Sequence, residues 1–146
     1  MSQSDIIKIL LIEDDSGDIG LISKTIDVNK RNVNFNYVKD GIEAMEYLYK
    51  KGRYKDSETP DLILLDLNLP KKNGHEVLKE IKTDKILKCI PVIVLTGSDD
   101  HNDVIESYQH RANAYIIKPA DWDLFEKYII TFKEFWFNNV QLPKIL

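Results

Sequence analysis

Polar residues stand directly behind several short apolar runs of this chain. Glu13-Asp14-Asp15 follows residues 8–12, Asp66 follows 61–65, Thr96 follows 91–95, and Lys118-Pro119 follows 114–117. Carboxylates brought close together repel and raise one another's pKa unless a cation neutralises them. Mg2+ suits such a group, because it takes a few carboxylate or carbonyl oxygens and completes its shell with waters and a phosphate oxygen. An aspartate can also attack phosphorus to give an acyl phosphate. Phosphoryl transfer depends mainly on positioning and on neutralising charge at the equatorial oxygens, so a metal on one side and a lysine on the other are the expected parts. Asp66 reads as the nucleophile, Asp14 and Asp66 as metal ligands, Glu13 as a ligand acting through water, and Lys118 and the Thr96 hydroxyl as contacts to the phosphoryl oxygens.

Each residue also has a plainer role. Asp15 or Ser16 can cap a helix, although three acids in a row exceed what a cap requires. Ser98, Asp99 and Asp100 are better placed than Thr96 to cap the helix that follows it. Lys118 lies between an apolar block and a proline that pushes it out of helical geometry, so it ends a strand. The sequence leaves the Lys118-Pro119 bond open between cis and trans.

The elements that position these groups follow from periodicity. Runs at 8–12, 33–38, 61–65, 91–95 and 114–117 are short and rich in Ile, Val and Leu, and four are nearly continuous apolar blocks, as in strands buried on both faces. Between them apolar residues recur at helical spacing: Ile19, Ile22 and Ile26; Ala44, Met45 and Leu48; Val77, Leu78 and Ile81; Val104, Ile105 and Tyr108. Asp40, Asn73 and Asp99-Asp100 mark helix starts. Alternation of this kind predicts an α/β fold, a doubly wound parallel sheet with right-handed crossovers. Five strands and five helices fit the flavodoxin-like order 2-1-3-4-5, which sets strands 1 and 3 side by side and places the acids and Asp66 at the switch point where such sheets bind ligands.

The chain has 146 residues, 43% of them hydrophobic, and a net charge of -4 with Lys and Arg scattered among the acids. One domain over 1–146 is expected, without a nucleic-acid-binding surface. The first apolar run is too short for a signal peptide or membrane span, so the cytoplasm is the expected compartment. Cys89, the single cysteine, reads as structural and partly buried. Residues 50–60 read as a long solvated connection. A last helix from Asp121 to about Asn138 carries Phe125, Ile129, Phe132 and Trp136 at core spacing, and also Trp122, Tyr128, Phe135 and Phe137. One helix face cannot bury all of these, so the excess implies a dimerisation or partner face with strand 5 and helix 4, unless the tail around Pro143 folds back over it.

Taken together, these motifs resemble the receiver domain of two-component response regulators (CheY-like) over nearly the whole chain. The resemblance implies that Glu13 and Asp14 bind Mg2+ with Asp66, which a histidine kinase phosphorylates. It assigns Asn68 a backbone carbonyl on the metal, Thr96 and Lys118 the switch hydroxyl and the phosphate contact, and Tyr115 the aromatic rotamer switch. Asp15, Gly97 and Ser98 depart from the family pattern. A narrower resemblance, to small stand-alone regulators paired with phytochrome-type kinases, rests on residues 13–18, the longer connection before strand 3, and Phe135-Trp136-Phe137 with Leu142-Pro143. It implies a phosphoacceptor without a fused output domain, and no enzyme beyond its own phosphotransfer and dephosphorylation. A Mg2+-dependent phosphohydrolase would need a carboxylate where Asn68 stands, and a flavin phosphate would be repelled by the acids after strand 1.

Overall fold

The computed structural model describes residues 6–27 and 32–145. Its elements are β1 (Ile7–Ile12), α1 (Ser16–Asp27), β2 (Val33–Val38), α2 (Gly41–Leu48), β3 (Leu62–Leu65), α3 (Gly74–Thr83), β4 (Val92–Thr96), α4 (His101–Gln109), β5 (Ala114–Ile117) and α5 (Trp122–Glu134). All strand pairs are parallel, in the order β2-β1-β3-β4-β5. The expected flavodoxin-like sheet is therefore present, and β1 and β3 are neighbours.

Side-chain alternation divides the core into two layers. Ile9, Leu11, Leu62, Leu64, Ile93 and Leu95 pack with Ile22 and Ile26 of α1 and Phe125, Ile129 and Phe132 of α5. Leu10, Ile12, Ile63, Leu65, Val92 and Val94 pack on the opposite face with α2 and α3. The three central strands are nearly continuous apolar runs, broken only by Lys8 near the start of β1 and Thr96 at the end of β4, because both of their faces are covered. β2 lies at an edge, alternates apolar and polar residues over Val33–Asn36, and leaves Asn36 and Tyr37 exposed on opposite faces.

The helix starts follow the polar signals. Asp40 accepts from the Glu43 N–H at 2.7 Å, and Asn73 and Glu76 form a reciprocal capping box. Asp100 and Asp121 cap α4 and α5.

Four local expectations are corrected. Residues 50–60 are not merely a solvated connection: a 3-10 turn at Gly52–Tyr54 brings Tyr54 onto Tyr47 with ring centroids 5.2 Å apart, and its hydroxyl donates to Glu43 at 2.6 Å. Cys89 is exposed, because Leu87 supplies the buried anchor of the 3-10 turn before β4. α4 buries Ser107 and leaves Ile105 and Tyr108 outside, so its apolar spacing does not mark a core face. The last helix ends at Glu134 and continues as a π-helical turn over Phe135–Asn139. Beyond it the tail does fold back: Leu142 is buried in the α1/α5 layer with Phe137 and Val140 against it, and Lys144 donates to Asp61 at 2.7 Å and to the Ile6 carbonyl at 2.6 Å.

One glycine fixes the loop that carries Asp66. The Gly74 N–H donates to the Leu67 carbonyl at 2.9 Å, and a Cβ at Gly74 would lie 2.4 Å from the Leu67 Cα and 2.5 Å from the Asp66 carbonyl oxygen. Those neighbours are backbone, so they cannot rotate aside. Gly74→Ala is expected to cost about 1–3 kcal/mol through forced displacement of this loop; urea unfolding measures it, and an unchanged midpoint would show that the loop yields freely.

Candidate functional site

The strand ends bring the acidic groups to one place. Carboxylate oxygens of Glu13, Asp14 and Asp66 all lie within 4.8 Å of one another. Their convergence comes from the pairing of β1 with β3, in which Ile12 stands beside Leu65 and the Asp66 N–H donates to the Ile12 carbonyl at 3.0 Å. Glu13 and Asp66 are buried, whereas Asp14 is exposed. This donor set, all oxygen with one member open to solvent, fits a hard divalent cation that keeps part of its water shell.

Lys118 reaches the cluster from the end of β5. Its Nζ donates to Glu13, to Asp18 at 2.8 Å and to Asp66 at 3.4 Å. The Lys118 N–H also donates to the Thr96 carbonyl at 2.7 Å, which fixes the backbone from which the side chain extends. The Lys118-Pro119 bond is trans. Asp18 was not singled out from the sequence. Its signal is its place in the first turn of α1, two residues after the helix begins, from which it faces back toward the strand ends.

Asp15 is a cap. Its Oδ1 accepts from the Asp18 N–H at 2.9 Å and its carbonyl from the Ile19 N–H at 3.0 Å, so its side chain opens α1, while its N–H donates to Glu13 Oε2 at 3.1 Å. Asn68 lies in the loop beyond Asp66 and donates its N–H to Asp66 Oδ1 at 3.3 Å.

The electrostatics are those of a crowded buried site. Burial, and then the charge of Asp66, push the Glu13 pKa up to about 8, with the Lys118 hydrogen bond opposing the shift. Burial works to lower the Lys118 pKa, but hydrogen bonds to Asp18 and Glu13 and the negative charges around it outweigh burial and hold it above its usual range.

Thr96 and Tyr115 complete the set at β4 and β5. Thr96 is fully buried, and its hydroxyl has no hydrogen-bond partner among the described residues. Tyr115 is partly buried and donates to the Ser98 carbonyl at 2.9 Å, across the loop that follows Thr96. Glu13, Asp14, Asp66 and Lys118 therefore form one cluster, with Thr96 at the neighbouring strand end, while Tyr115 is tied to the loop and makes no hydrogen bond to the cluster.

Comparison with known proteins identifies the family. The response regulator receiver domain family matches residues 9–130, and the chain belongs to that family. It is 44% identical over 136 residues to the response regulator Rcp1 of Synechocystis sp., covering 92% of each chain. Among solved structures it resembles the phosphorylated cyanobacterial phytochrome response regulator RcpA (TM-score 0.92, 44% identity, 95% of this chain and 99% of that one). It is equally similar to the Mn2+-bound form of Rcp1 (TM-score 0.92, 41% identity, 94% and 99%). No helix among the described residues is long and apolar enough to cross a membrane.

The raised Glu13 pKa has a defined consequence for stability. A carboxyl that holds its proton more tightly when folded costs stability as pH rises from the ordinary value of 4.5 to about 8, because the unfolded carboxyl ionises freely through that window while the folded one is held in its protonated form. In metal-free protein, Glu13→Gln should therefore gain thermal stability over the wild type as pH is raised through that window, by about 10 °C at the upper end, and little at the lower end. Melting curves in a chelator test this. A constant difference across pH would place Glu13 in its ordinary range.

Proposed function

We propose that the chain, read as one receiver unit over residues 1–146, is a cytoplasmic phosphoacceptor of a two-component system. Asp66 takes a phosphoryl group from a sensor histidine kinase, and the kinase is phytochrome-type, a reading supported by the likeness to Rcp1 and to the phytochrome regulator RcpA. The carrying observation is the buried Asp66 carboxylate clustered with Glu13 and Asp14 and within reach of the Lys118 ammonium.

Mg2+ is the proposed cofactor, held by Glu13, Asp14, Asp66 and the Asn68 backbone carbonyl; when bound it neutralises charge on the phosphoryl oxygens. The protein's own groups supply the rest. Gly74 holds the Asp66 loop close, Lys118 stands ready to exchange a carboxylate partner for a phosphoryl oxygen, and burial excludes bulk water. The part is that of a signalling protein whose only chemistry is its own phosphotransfer and dephosphorylation. Asp66→Asn keeps the size of the side chain but cannot form an acyl phosphate. Intact-mass analysis with acetyl phosphate and Mg2+ should show one added phosphoryl group on the wild type and none on Asp66→Asn; labelling of the variant would move the acceptor elsewhere.

The output is proposed to be a population shift. The orphaned Thr96 hydroxyl gains an acceptor only when Asp66 is phosphorylated, which is the differential interaction such a shift requires. Drawing Thr96 and its loop inward breaks the bond from Tyr115 to Ser98 and frees the ring to turn. The face so altered lies between α4, β5 and α5. On α5 and at the start of the π-helical turn that continues it, Leu124, Tyr128, Thr131 and Phe135 are exposed at i, i+4, i+7 and i+11, a single stripe. The opposite flank is occupied by α1, where Lys133 donates to the Thr25 carbonyl at 3.0 Å and Trp122 lies beside Gly17. The stripe therefore faces away from α1, toward Ile105 of α4 and Ile117 of β5, both exposed.

We assign homodimerisation to this face, strengthened by phosphorylation. Trp136 packs on Phe132 and serves the core, so the probes are Tyr128 and Phe135. In analytical ultracentrifugation, Tyr128→Ala should weaken association by about tenfold or more, and Thr96→Ala should accept the phosphoryl group yet associate as the unphosphorylated wild type does. A wild type that stays monomeric with phosphodonor at high concentration would assign the face to another partner.

A further inference from the structure

At the opposite end of the sheet from Asp66, where β4 and β5 begin, the ends of α3 and α4 and the turns before the two strands enclose an open cavity of about 790 Å³. Its lining includes Lys79 and Lys82 of α3, Lys88 of the turn before β4, and Tyr108, His110 and Arg111 at the end of α4, with no carboxylate. That concentration is unusual in a chain whose net charge is -4.

Basic residues at helix C-termini often do no more than complement the helix dipole, and two of these are accounted for. Lys82 donates to the carbonyls of Lys88 and Ile90 and to Asn113 Oδ1, so it is pinned at the wall. His110 lies 3.6 Å from Glu106, the one acid at the rim with which any of these groups pairs. Lys79, Lys88 and Arg111 have no ion-pair partner among the described residues. Arg111 in addition holds a φ of 73°, in the left-handed region that favours glycine at a helix end. A long charged residue kept there forgoes the easier backbone.

We propose that this cavity binds a phosphate chain, the di- or triphosphate of a nucleotide or inorganic polyphosphate, with Lys79, Lys88 and Arg111 contacting its oxygens. Its size lies within the range of small-molecule sites, and several unpaired cations around a concavity match a compact polyanion better than a single charge. Half-exposed Tyr108 offers a ring on which a base could stack. The site is separate from the acidic cluster and does not depend on the signalling role.

The test is titration of the whole chain, in a chelator so that no metal recruits phosphates to Asp66, with tripolyphosphate, ATP and adenosine, followed by calorimetry and amide NMR shifts. Saturable binding of tripolyphosphate and ATP, with shifts centred on Lys79, Lys88 and residues 110–113, supports the site. Tighter binding of ATP than of tripolyphosphate identifies the nucleotide as the source, and the reverse identifies polyphosphate. Arg111→Gly relaxes the backbone while removing the charge, so it should bind about tenfold more weakly with a melting temperature equal to or above that of wild type. Absence of saturation, shifts centred on Glu13 and Asp66, equal binding of adenosine, unchanged affinity in Arg111→Gly, or a polyglutamate peptide outcompeting tripolyphosphate would each overturn the proposal.

Discussion

Repulsion among Glu13, Asp14 and Asp66 is the constraint around which the rest of the structure is arranged. Three carboxylates within 4.8 Å, two of them buried, would separate in a flexible chain. They are held together because the strands carrying them are bound side by side by apolar packing on both faces, and moving one strand end would open both core layers. Lys118 offsets only part of the cost. It bonds to Glu13, Asp18 and Asp66, so with Asp14 included four carboxyl groups surround one ammonium, and Glu13 answers the excess by holding its proton up to a pKa of about 8. The imbalance is what suits the cluster to the divalent cation proposed for it, and it also makes the unliganded site less stable than an apolar filling of the same space. Function here opposes stability, and the large aliphatic core is the counterweight.

The fold was legible because its signals are local and redundant. The continuous apolar blocks, their alternation with helical spacing and the acids or amides opening α2, α3 and α4 all point to one parallel sheet, and the sheet alone then brings Glu13, Asp14, Asp66 and Lys118 together. What escaped the sequence was set by packing at a distance. Asp18 resembles any first-turn acid until Lys118 is seen to reach it. Ile105 and Tyr108 have core spacing but lie outside, because α4 meets the rest of the protein through Ser107 and half-buried Val104. The aromatic excess of α5 resolves into two classes that spacing cannot separate. The returning tail carries Phe137, Val140 and Leu142 against Phe132 and its neighbours, while Tyr128 and Phe135 stay exposed on the flank away from α1. That return is anchored by Lys144 on Asp61, a partner 83 residues away that no local pattern announces.

The proposed switch element can be weighed in energies. Tyr115 is held by one hydrogen bond to the Ser98 carbonyl, and Ser98 Oγ in turn donates to Asp103 at 2.6 Å, which His75 meets at 2.9 Å from α3. Those bonds hold the Asp103 carboxyl below its usual range, the Ser98 hydrogen bond first and His75 second. The loop after Thr96 is thereby tied to β5 on one side and α3 on the other. Moving it costs about 0.5–1.5 kcal/mol for the neutral Tyr115 bond and about 1.5–3 for one involving charge. Against this stands the buried Thr96 hydroxyl, whose lack of a partner costs about 1–3 kcal/mol in the conformation seen here. The two costs are of the same size. A phosphoryl group on Asp66 would remove the Thr96 penalty and add a charge-assisted bond, a change of the few kcal/mol that carries a two-state element from minor to major occupancy. In the proposed reading, the isolated hydroxyl at the end of β4 is what leaves the loop close enough to balance for one phosphoryl group to decide it.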